Sequence, residues 1–397
     1  MFDRFVPPVR ILMGPGPTNV PESVLTALSA PTVGHLDPSF INLMDEIKTM
    51  LQKTFNTKNQ LTMPVSAPGS AGMESCFANL IESGDTVIVC INGVFGGRML
   101  ENVKRFGGIP VVVESPWGEA ITPAQVEKAL DENPAAKVVA FVHAETSTGV
   151  LSDAQAICKL AKSRNTLTIV DLVTSLAGIE VNVDDWGIDA AYSGSQKCMA
   201  CVPGLSPVTF SQQAIDAINK RTTEVTSWFL DKKLVMAYWG NKSEPGAARS
   251  YHHTAPVNAL YALHESLRLL LNEGLTASWS RHKNAHLALV AGLESMGLSM
   301  LVDKSHRLPQ LNTVNIPEGI DDAKVRKYLL EEHSLEIGAG LGTLAGKVWR
   351  IGLMGPNANI DKVVFCLDKL SLALNLQGYD IDASLAGRSA QKMHDSF

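Results

Sequence analysis

The sequence predicts an α/β protein with a large domain built on a mostly parallel central sheet and a smaller C-terminal α+β domain. Between residues 60 and 215, short apolar runs alternate with amphipathic stretches, as strands and helices alternate in such folds. The runs are continuously apolar, which is typical of strands buried on both faces. They occupy residues 86–91, 109–113, 138–142 and 167–170.

The segments between and after these runs predict the rest of the architecture. Apolar residues at helical spacing predict helices at 123–132, at 153–164, over the leucine stripe from Leu260 to Leu271, and near 281–297. The C-terminal part predicts strand 311–316, helix 321–333, strand 347–354, helix 360–376 and a small, polar tail at 384–397. We therefore expect an N-terminal segment (1–20), a large domain (21–273) and a small C-terminal domain (274–397).

Composition and charge exclude several classes of protein. The chain has 34 Lys and Arg residues against 40 Asp and Glu, a net charge of −6, and no basic run, so neither nucleic acid nor an anionic membrane is an expected partner. No apolar run approaches the roughly 18 residues of a membrane span, and the N-terminus has no secretory signal pattern. Six scattered cysteines indicate a reducing, cytoplasmic location. The low charged fraction of 19% predicts surface buried between subunits.

Lys197 is the only charged residue between Ala190 and Ile215. It follows an expected strand end and has small and apolar neighbours. Desolvation there would lower the pKa of its ammonium group and make the amine a nucleophile suited to Schiff-base chemistry. The alternative is a lysine whose charged end reaches solvent from a tight loop, and position alone does not separate the two interpretations.

Asp171 ends the apolar run 167–170, which places it at the carboxyl end of a parallel strand, where ligands bind in open α/β sheets. Pyridoxal phosphate chemistry needs a lysine and a carboxylate together. The amine holds the cofactor aldehyde, and the carboxylate keeps the ring nitrogen protonated. Taken alone, Asp171 is better explained as a helix N-cap.

Two further motifs are suited to binding anions. Small residues at 67–72 precede a helical stretch that ends near Leu80, and their backbone N–H groups could approach a phosphate at the helix start. The pattern is neither Walker A nor G-x-G-x-x-G, which disfavours nucleotide and dinucleotide binding. In strand 347–354, Arg350 and Gly352 share one face, which predicts room for a carboxylate held by two parallel hydrogen bonds. An interdomain salt bridge is the alternative for Arg350.

Two patterns resemble metal or redox sites, but we expect no metal. Cys198-x-x-Cys201 has no second cysteine or histidine pair nearby, and Pro203-Gly204 suggests a tight loop. The adjacent histidines of Tyr251-His-His-Thr254 have no evident third ligand, and polar lining of a site is the favoured role.

With these elements in order, the chain resembles the class V aminotransferases of the pyridoxal phosphate fold type I superfamily, most closely their alanine–glyoxylate branch. The likeness covers nearly the whole chain and several long motifs in register. These are Gly14–Asn19, His143–Gly149, Asp171, Ser193–Lys197, Tyr251–Thr254, and Gly340-Leu-Gly followed by Lys347–Gly352.

The resemblance implies a role for each candidate residue. Lys197 would form the Schiff base with pyridoxal 5'-phosphate, and Asp171 would pair with the ring nitrogen. Thr146 would bond near the phenolic oxygen, and Phe95 would stack on the ring. The phosphate would be held by Gly69, Ser70, Ala71 and Gln196.

The resemblance also implies a homodimer with shared active sites, because the residues matching Tyr251 and Thr254 reach the phosphate of the partner subunit. Arg350 would bind the substrate carboxylate. The implied reaction is transamination from a small amino acid, alanine favoured, to glyoxylate, giving pyruvate and glycine. Alternatives are serine or ureidoglycine as donor, more distantly a cysteine desulfurase, or a non-catalytic oligomeric binding protein. A nicotinamide dehydrogenase is disfavoured by the absence of a Rossmann fingerprint.

Overall fold

The computed structural model describes residues 2–239 and 249–397 of the chain. The helices are α1 (Glu22–Leu28), α2 (Pro38–Phe55), α3 (Gly69–Leu80), α4 (Val94–Arg105), α5 (Pro123–Glu132), α6 (Ala154–Ser163), α7 (Val183–Trp186), α8 (Gln212–Asn219), α9 (Lys232–Trp239), α10 (Val257–Glu273), α11 (Leu275–Ser295), α12 (Asp322–His333), α13 (Ile360–Asn375) and α14 (Ala383–His394). The strands are β1 (Ile11–Leu12), β2 (Leu61–Val65), β3 (Thr86–Ile91), β4 (Ile109–Glu114), β5 (Val138–Val142), β6 (Ala144–Glu145), β7 (Val150–Leu151), β8 (Leu167–Asp171), β9 (Ala190–Tyr192), β10 (Ser206–Phe210), β11 (Leu311–Asn315), β12 (Leu335–Glu336), β13 (Gly338–Ala339) and β14 (Val348–Gly352).

The chain divides into two compact units. The larger unit comprises Val20–Ser280 with Val302–Leu308, and the smaller unit comprises Met1–Asn19, Arg281–Leu301 and Pro309–Phe397. Separate domains at 21–273 and 274–397 stay a prediction. None of the helices in the described ranges has the length and apolarity needed to cross a membrane.

A seven-stranded sheet, in the order β2-β10-β9-β8-β5-β3-β4, forms the centre of the larger unit. Neighbouring strands from β9 to β4 pair in parallel, and β10 runs antiparallel to both β9 and β2. The mostly parallel α/β sheet predicted from the sequence is therefore confirmed. Strands β5 and β8 lie at the middle of the sheet and every residue in them is buried, as their continuous apolar runs require.

Strand β4 departs from the prediction that all four runs are buried on both faces. Ile109 and Val112 are exposed, with 55% and 45% of their surface accessible. The reason is position, because β4 is the edge strand of the sheet and pairs only with β3 among the described strands. An apolar run predicts a strand but does not distinguish an edge strand from a central one.

The smaller unit contains a three-stranded antiparallel sheet in the order β11-β14-β13 and a parallel pair of β1 with β12. Its core is a cluster of fully buried side chains that includes Trp349 and Ile351 of β14 and Leu367 and Leu370 of α13. Trp349 also donates a hydrogen bond from Nε1 to Asp322 Oδ1 at 3.0 Å. The predicted strand, helix, strand and helix of this region are confirmed.

The predicted C-terminal tail is wrong, because residues 383–394 form helix α14. Asp382 caps this helix by accepting a hydrogen bond from the Ser384 backbone. Ala386 and Ala390 are fully buried in the core of the smaller unit, and α14 packs along α13. Alanines at this spacing let two helices approach closely, but they give little hydrophobic contrast in the sequence.

The prediction that a ligand has room beside Gly352 is also wrong. The backbone N–H of Gly352 donates to Met13 O at 2.7 Å, and the Gly14 carbonyl group occupies the position that a Cβ atom at residue 352 would need. Glycine is required there because the N-terminal segment packs against β14.

Candidate active site

Asp171 and Lys197 lie at and just after the carboxyl ends of two neighbouring parallel strands in the larger unit. Asp171 is the last residue of β8, and Lys197 lies in the loop between β9 and β10. Both side chains are buried, with 3% and 7% of their surface exposed. Strands β8 and β9 pair with Asp171 opposite Tyr192, so the lysine loop begins directly beside the aspartate. This edge of a parallel sheet is where α/β proteins bind ligands.

The Asp171 carboxylate is fixed by two hydrogen bonds. Tyr192 donates from its hydroxyl to Oδ2 at 2.7 Å, and the Val173 backbone N–H donates to Oδ1 at 2.8 Å. Burial raises the pKa of Asp171 to about 7, although both hydrogen bonds act in the opposite direction. A cationic ring N–H placed against this carboxylate would therefore stabilise its charged form. The contact with Val173 resembles an N-cap bond, but only a short turn follows Asp171 and no helix begins there.

The N-terminus of α3 adjoins the lysine loop. Pro68 precedes the helix, and no side chain caps its first turn. A Cβ atom at Gly69 would lie 3.6 Å from Ser193 O and 3.8 Å from Gly194 Cα. Gly69 is buried, whereas Ser70 is exposed. The first turn of α3 therefore lies beside Ser193 and Gly194, and a helix N-terminus is a place where anions bind.

Gln196 and Thr146 add polar groups to the same region. Gln196 Oε1 is buried and has no hydrogen-bond partner among the described residues, so its amide has bonding capacity for a ligand. The Thr146 hydroxyl shares a hydrogen bond of 2.6 Å with the Thr174 hydroxyl. Cys198, next to Lys197, donates from Sγ to Thr174 O at 3.5 Å. Thr174 therefore links Thr146 to the lysine loop.

Phe95 lies in the first turn of α4, where it is half-buried. Its backbone N–H donates to Glu145 Oε2 at 3.2 Å, and the Arg98 guanidinium lies 4.9 Å from the centre of its ring. Glu145 is fully buried and also accepts two bonds from Ser147, at 3.0 and 2.6 Å. Burial raises the pKa of Glu145, although these hydrogen bonds act in the opposite direction. The carboxylate at the start of α4 thus holds the backbone of Phe95 in place.

Tyr251 and Thr254 are both exposed, as Ser70 is. Tyr251 has 62% of its surface accessible, and its hydroxyl lies 3.5 Å from the Thr254 hydroxyl. The two hydroxyls are therefore available to a second molecule, whereas the histidines between them pack inward.

Arg350 lies on the central strand of the small sheet and is buried in the smaller unit, with 6% of its surface exposed. Its Nε donates to Ala339 O at 2.7 Å on the neighbouring strand β13, which fixes the plane of the guanidinium group.

Cys198 and Cys201 are both buried, which does not favour a reactive redox pair. Burial raises the pKa of the Cys201 thiol to about 12, so this thiol stays protonated at neutral pH. Within the described ranges, no group of three or more His, Cys, Asp and Glu side chains could hold a metal ion.

Sequence reasoning missed Tyr192 and Glu145. Tyr192 reaches Asp171 only because β8 and β9 pair in this register, and burial together with the Asp171 charge raises the pKa of its hydroxyl. Glu145 contacts Phe95 across 50 residues of sequence. Its place between His143 and Gly149 in one of the recognised motifs was the only available signal.

A buried lysine, a buried aspartate and an uncapped helix N-terminus at one sheet edge define an α/β enzyme of the pyridoxal phosphate-dependent type. The model of the family described as "Aminotransferase class-V" matches residues 11–359, so the chain belongs to the class V aminotransferases. The fold predicted as fold type I is confirmed by solved aminotransferase structures with TM-scores above 0.9.

Three relatives show how much of the chain the likeness covers. An alanine–glyoxylate aminotransferase from Drosophila melanogaster is 37% identical over 96% of both chains. The crystal structure of an alanine–glyoxylate aminotransferase from Nostoc sp. is 44% identical, with a TM-score of 0.91 over 94% of this chain and 97% of that one. A ureidoglycine–glyoxylate aminotransferase from Bacillus subtilis is 37% identical, with a TM-score of 0.95 over 99% of this chain and 100% of the other.

Pyridoxal phosphate is the cofactor of this family, and the residues present fit it. The unpartnered Gln196 Oε1 and the N-terminus of α3, which has no side-chain cap, suit a phosphate group at the start of α3. The buried Asp171, with its raised pKa, suits a protonated ring nitrogen.

Proposed function

We propose that the enzyme transfers the amino group of alanine to glyoxylate, releasing pyruvate and forming glycine. The observation that carries the chemistry is the burial of Lys197 and Asp171 beyond adjacent strands at one sheet edge. The choice of substrates is supported by the alanine–glyoxylate aminotransferases that the chain resembles over nearly all its length. When bound, the cofactor supplies an electron sink that stabilises the carbanion formed at the substrate α-carbon.

The chain's own residues have four tasks in this proposal. Lys197 Nζ holds the cofactor covalently between turnovers and accepts the α-proton of the donor when it is free. Asp171 keeps a proton on the ring nitrogen, and Tyr192 orients its carboxylate. Thr146 and Phe95 position the ring. The phosphate is held by Gly69, Ser70, Ala71 and Gln196.

Ureidoglycine is the second candidate donor, supported by the Bacillus subtilis structure, and serine is the third. The test is to compare kcat/KM for alanine, serine and ureidoglycine at a fixed concentration of glyoxylate. Alanine should have the highest value. A clear preference for ureidoglycine would leave the transaminase chemistry in place and replace the proposed donor.

Arg350→Lys should raise the KM for both amino and oxo acids, because an ammonium group cannot make the two parallel hydrogen bonds of a guanidinium to a carboxylate. We expect an increase of roughly tenfold, since charged hydrogen bonds contribute about 1.5–3 kcal/mol. Cofactor affinity should barely change. Titrating both substrates into the variant checks this, and unchanged KM values would favour a structural ion-pair role for Arg350.

We propose a homodimer in which Tyr251 and Thr254 complete the phosphate site of the partner subunit. Their exposure supports this, as does the low charged fraction of the chain. We also propose a reducing, cytoplasmic location, which is supported by six buried cysteines scattered through the sequence.

Subunit complementation tests the shared site. A Lys197→Ala subunit is mixed with a Tyr251→Phe, Thr254→Ala subunit. A mixed dimer would hold one site with every lesion and one with none, so purified mixed dimers should have about half the wild-type activity. A randomly paired 1:1 mixture, in which about half of the dimers are mixed, should approach about a quarter. If mixed dimers form and activity does not rise, Tyr251 and Thr254 do not serve the partner's site.

A further inference from the structure

Ser66, His252 and His253 form a hydrogen-bonded cluster in the larger unit that the roles above leave unused. His253 Nε2 lies 2.7 Å from Ser66 Oγ, and His253 Nδ1 lies 2.8 Å from His252 Nδ1. His253 therefore uses both ring nitrogens, one toward each neighbour. Ser66 is 187 residues away in sequence, so this contact joins two distant parts of the chain.

Ser66 stands at the start of the short loop between β2 and α3. Ala67 and Pro68 complete the loop, and neither has a side chain that can form a hydrogen bond. Pro68 is also the uncapped residue before the first turn of α3. The Ser66 hydroxyl is thus the one side-chain group that can anchor this loop, and its partner is His253.

Aromatic side chains hold the two imidazole rings in fixed orientations. Trp228 stacks on His252, with ring centres 4.4 Å apart and planes within 5°. Phe229 and Tyr238 pack edge-on against His253, with ring centres 5.2 and 5.4 Å away. This packing keeps Nε2 of His253 directed at Ser66.

The bond between the two Nδ1 atoms requires one N–H group and one lone pair, which two neutral rings provide. Burial lowers the pKa of His253 to about 4, and the charges of His252, Lys232 and His35 act in the same direction. Burial also lowers the pKa of His252, where Lys232 adds to the effect and the Trp228 backbone and Asp231 oppose it. Both rings are therefore neutral at neutral pH, as the bond requires.

We propose that His253 is a positioning residue for the cofactor phosphate. Through Ser66 it holds the loop that leads into Gly69–Ala71, and through the backbone it holds the neighbouring Tyr251 and Thr254. One residue would thus set the phosphate group of its own subunit's site and the segment offered to the partner's site. This inference rests on the proposed function, because it takes the phosphate to bind at the start of α3.

Two substitutions of His253 separate its two bonds. A glutamine amide reaches the position of Nε2, so His253→Gln can keep the bond to Ser66 and lose the one to His252. The shorter asparagine reaches the position of Nδ1, so His253→Asn does the reverse. Ser66→Ala removes the same bond as His253→Asn from the other side. His264→Asn is the control, because His264 forms its hydrogen bond with Glu46 and not with Ser66 or His252.

The measurement is the dissociation constant of the cofactor-free protein for pyridoxal phosphate and for pyridoxal, which lacks the phosphate. Ser66→Ala and His253→Asn should weaken pyridoxal phosphate binding roughly three- to tenfold, the effect of one lost hydrogen bond. Their affinity for pyridoxal should change less than twofold. His253→Gln and His264→Asn should bind both compounds as the wild type does.

Two results would overturn the inference. One is an unchanged affinity for pyridoxal phosphate in Ser66→Ala, the mildest of the variants. The other is an equal loss of affinity for pyridoxal phosphate and for pyridoxal, which would indicate general damage to the site. Failure of the wild type to bind pyridoxal phosphate would instead overturn the proposed function, and this inference with it.

Discussion

Lys197→Ala should lower turnover by roughly a thousandfold or more, because the substitution removes both the covalent attachment of the cofactor and the base that accepts the α-proton. The side chain is buried in the larger unit, so solvent cannot readily replace its amine. A small primary amine added to the solution should restore part of the activity by entering the space that the side chain vacates.

Steady-state rates with alanine and glyoxylate provide the measurement for this substitution. Lys220→Ala is the matched control, because Lys220 is exposed at the end of α8. The control should retain wild-type turnover. If Lys197→Ala itself kept transamination within tenfold of the wild type, Lys197 would have only a structural role in its loop.

Asp171→Asn should lower kcat by roughly 100- to 1,000-fold, because an amide cannot hold a proton on the ring nitrogen as a carboxylate does.

The same substitution should stabilise the cofactor-free protein at pH 8. Burial raises the pKa of Asp171 from the ordinary value of 3.8 to about 7. The protonated Asp171 side chain therefore contributes its full stabilisation of the folded state below the ordinary pKa of 3.8. This stabilisation is lost as the pH rises through the folded-state pKa of about 7.

Above pH 7 the wild type keeps a buried negative charge that the asparagine variant lacks. The Tm of cofactor-free Asp171→Asn should consequently exceed that of the wild type at pH 8 by several degrees, and the two should converge toward pH 4. Thermal unfolding at a series of pH values measures this difference. A variant with normal kcat and an unchanged Tm profile would reduce Asp171 to a structural role at the end of β8.

Asp189 offers a matched control for this experiment. It is also buried, accepts hydrogen bonds from Thr168 N at 3.0 Å and the Ser211 hydroxyl at 2.8 Å, and has a pKa raised by burial. It precedes β9, at the edge of the sheet opposite Asp171. Asp189→Asn should therefore leave kcat within a fewfold of the wild type.

The central sheet could be predicted because β5 and β8 are continuous apolar runs. In a chain where strands and helices alternate, a short run of that kind is typical of a strand buried on both faces. Asp171 could be predicted with it, because a polar residue that ends such a run lies at the ligand-binding edge. The lysine was identified by its isolation in an uncharged stretch. These signals are local, so one sequence is enough to find them.

The features that could not be predicted depend on contacts between distant residues. Gly352 lies against Gly14, so the space expected beside it is filled by backbone. Tyr192 contacts Asp171 only because of the register in which β8 and β9 pair. The hydrogen bond between His253 and Ser66 joins residues that are 187 positions apart in the sequence. Helix α14 was missed for a different reason, since its buried alanines have no strong hydrophobic period.

The central claim is that one active site takes nitrogen from alanine, keeps it on the protein and gives it to glyoxylate. The most direct measurement loads the purified enzyme with alanine labelled at the amino nitrogen, without any oxo acid, and then removes free alanine by gel filtration. One pyruvate per subunit should be released, and glyoxylate added afterwards should yield labelled glycine in the same amount. Release of unlabelled glycine, or no pyruvate before glyoxylate is added, would contradict this account.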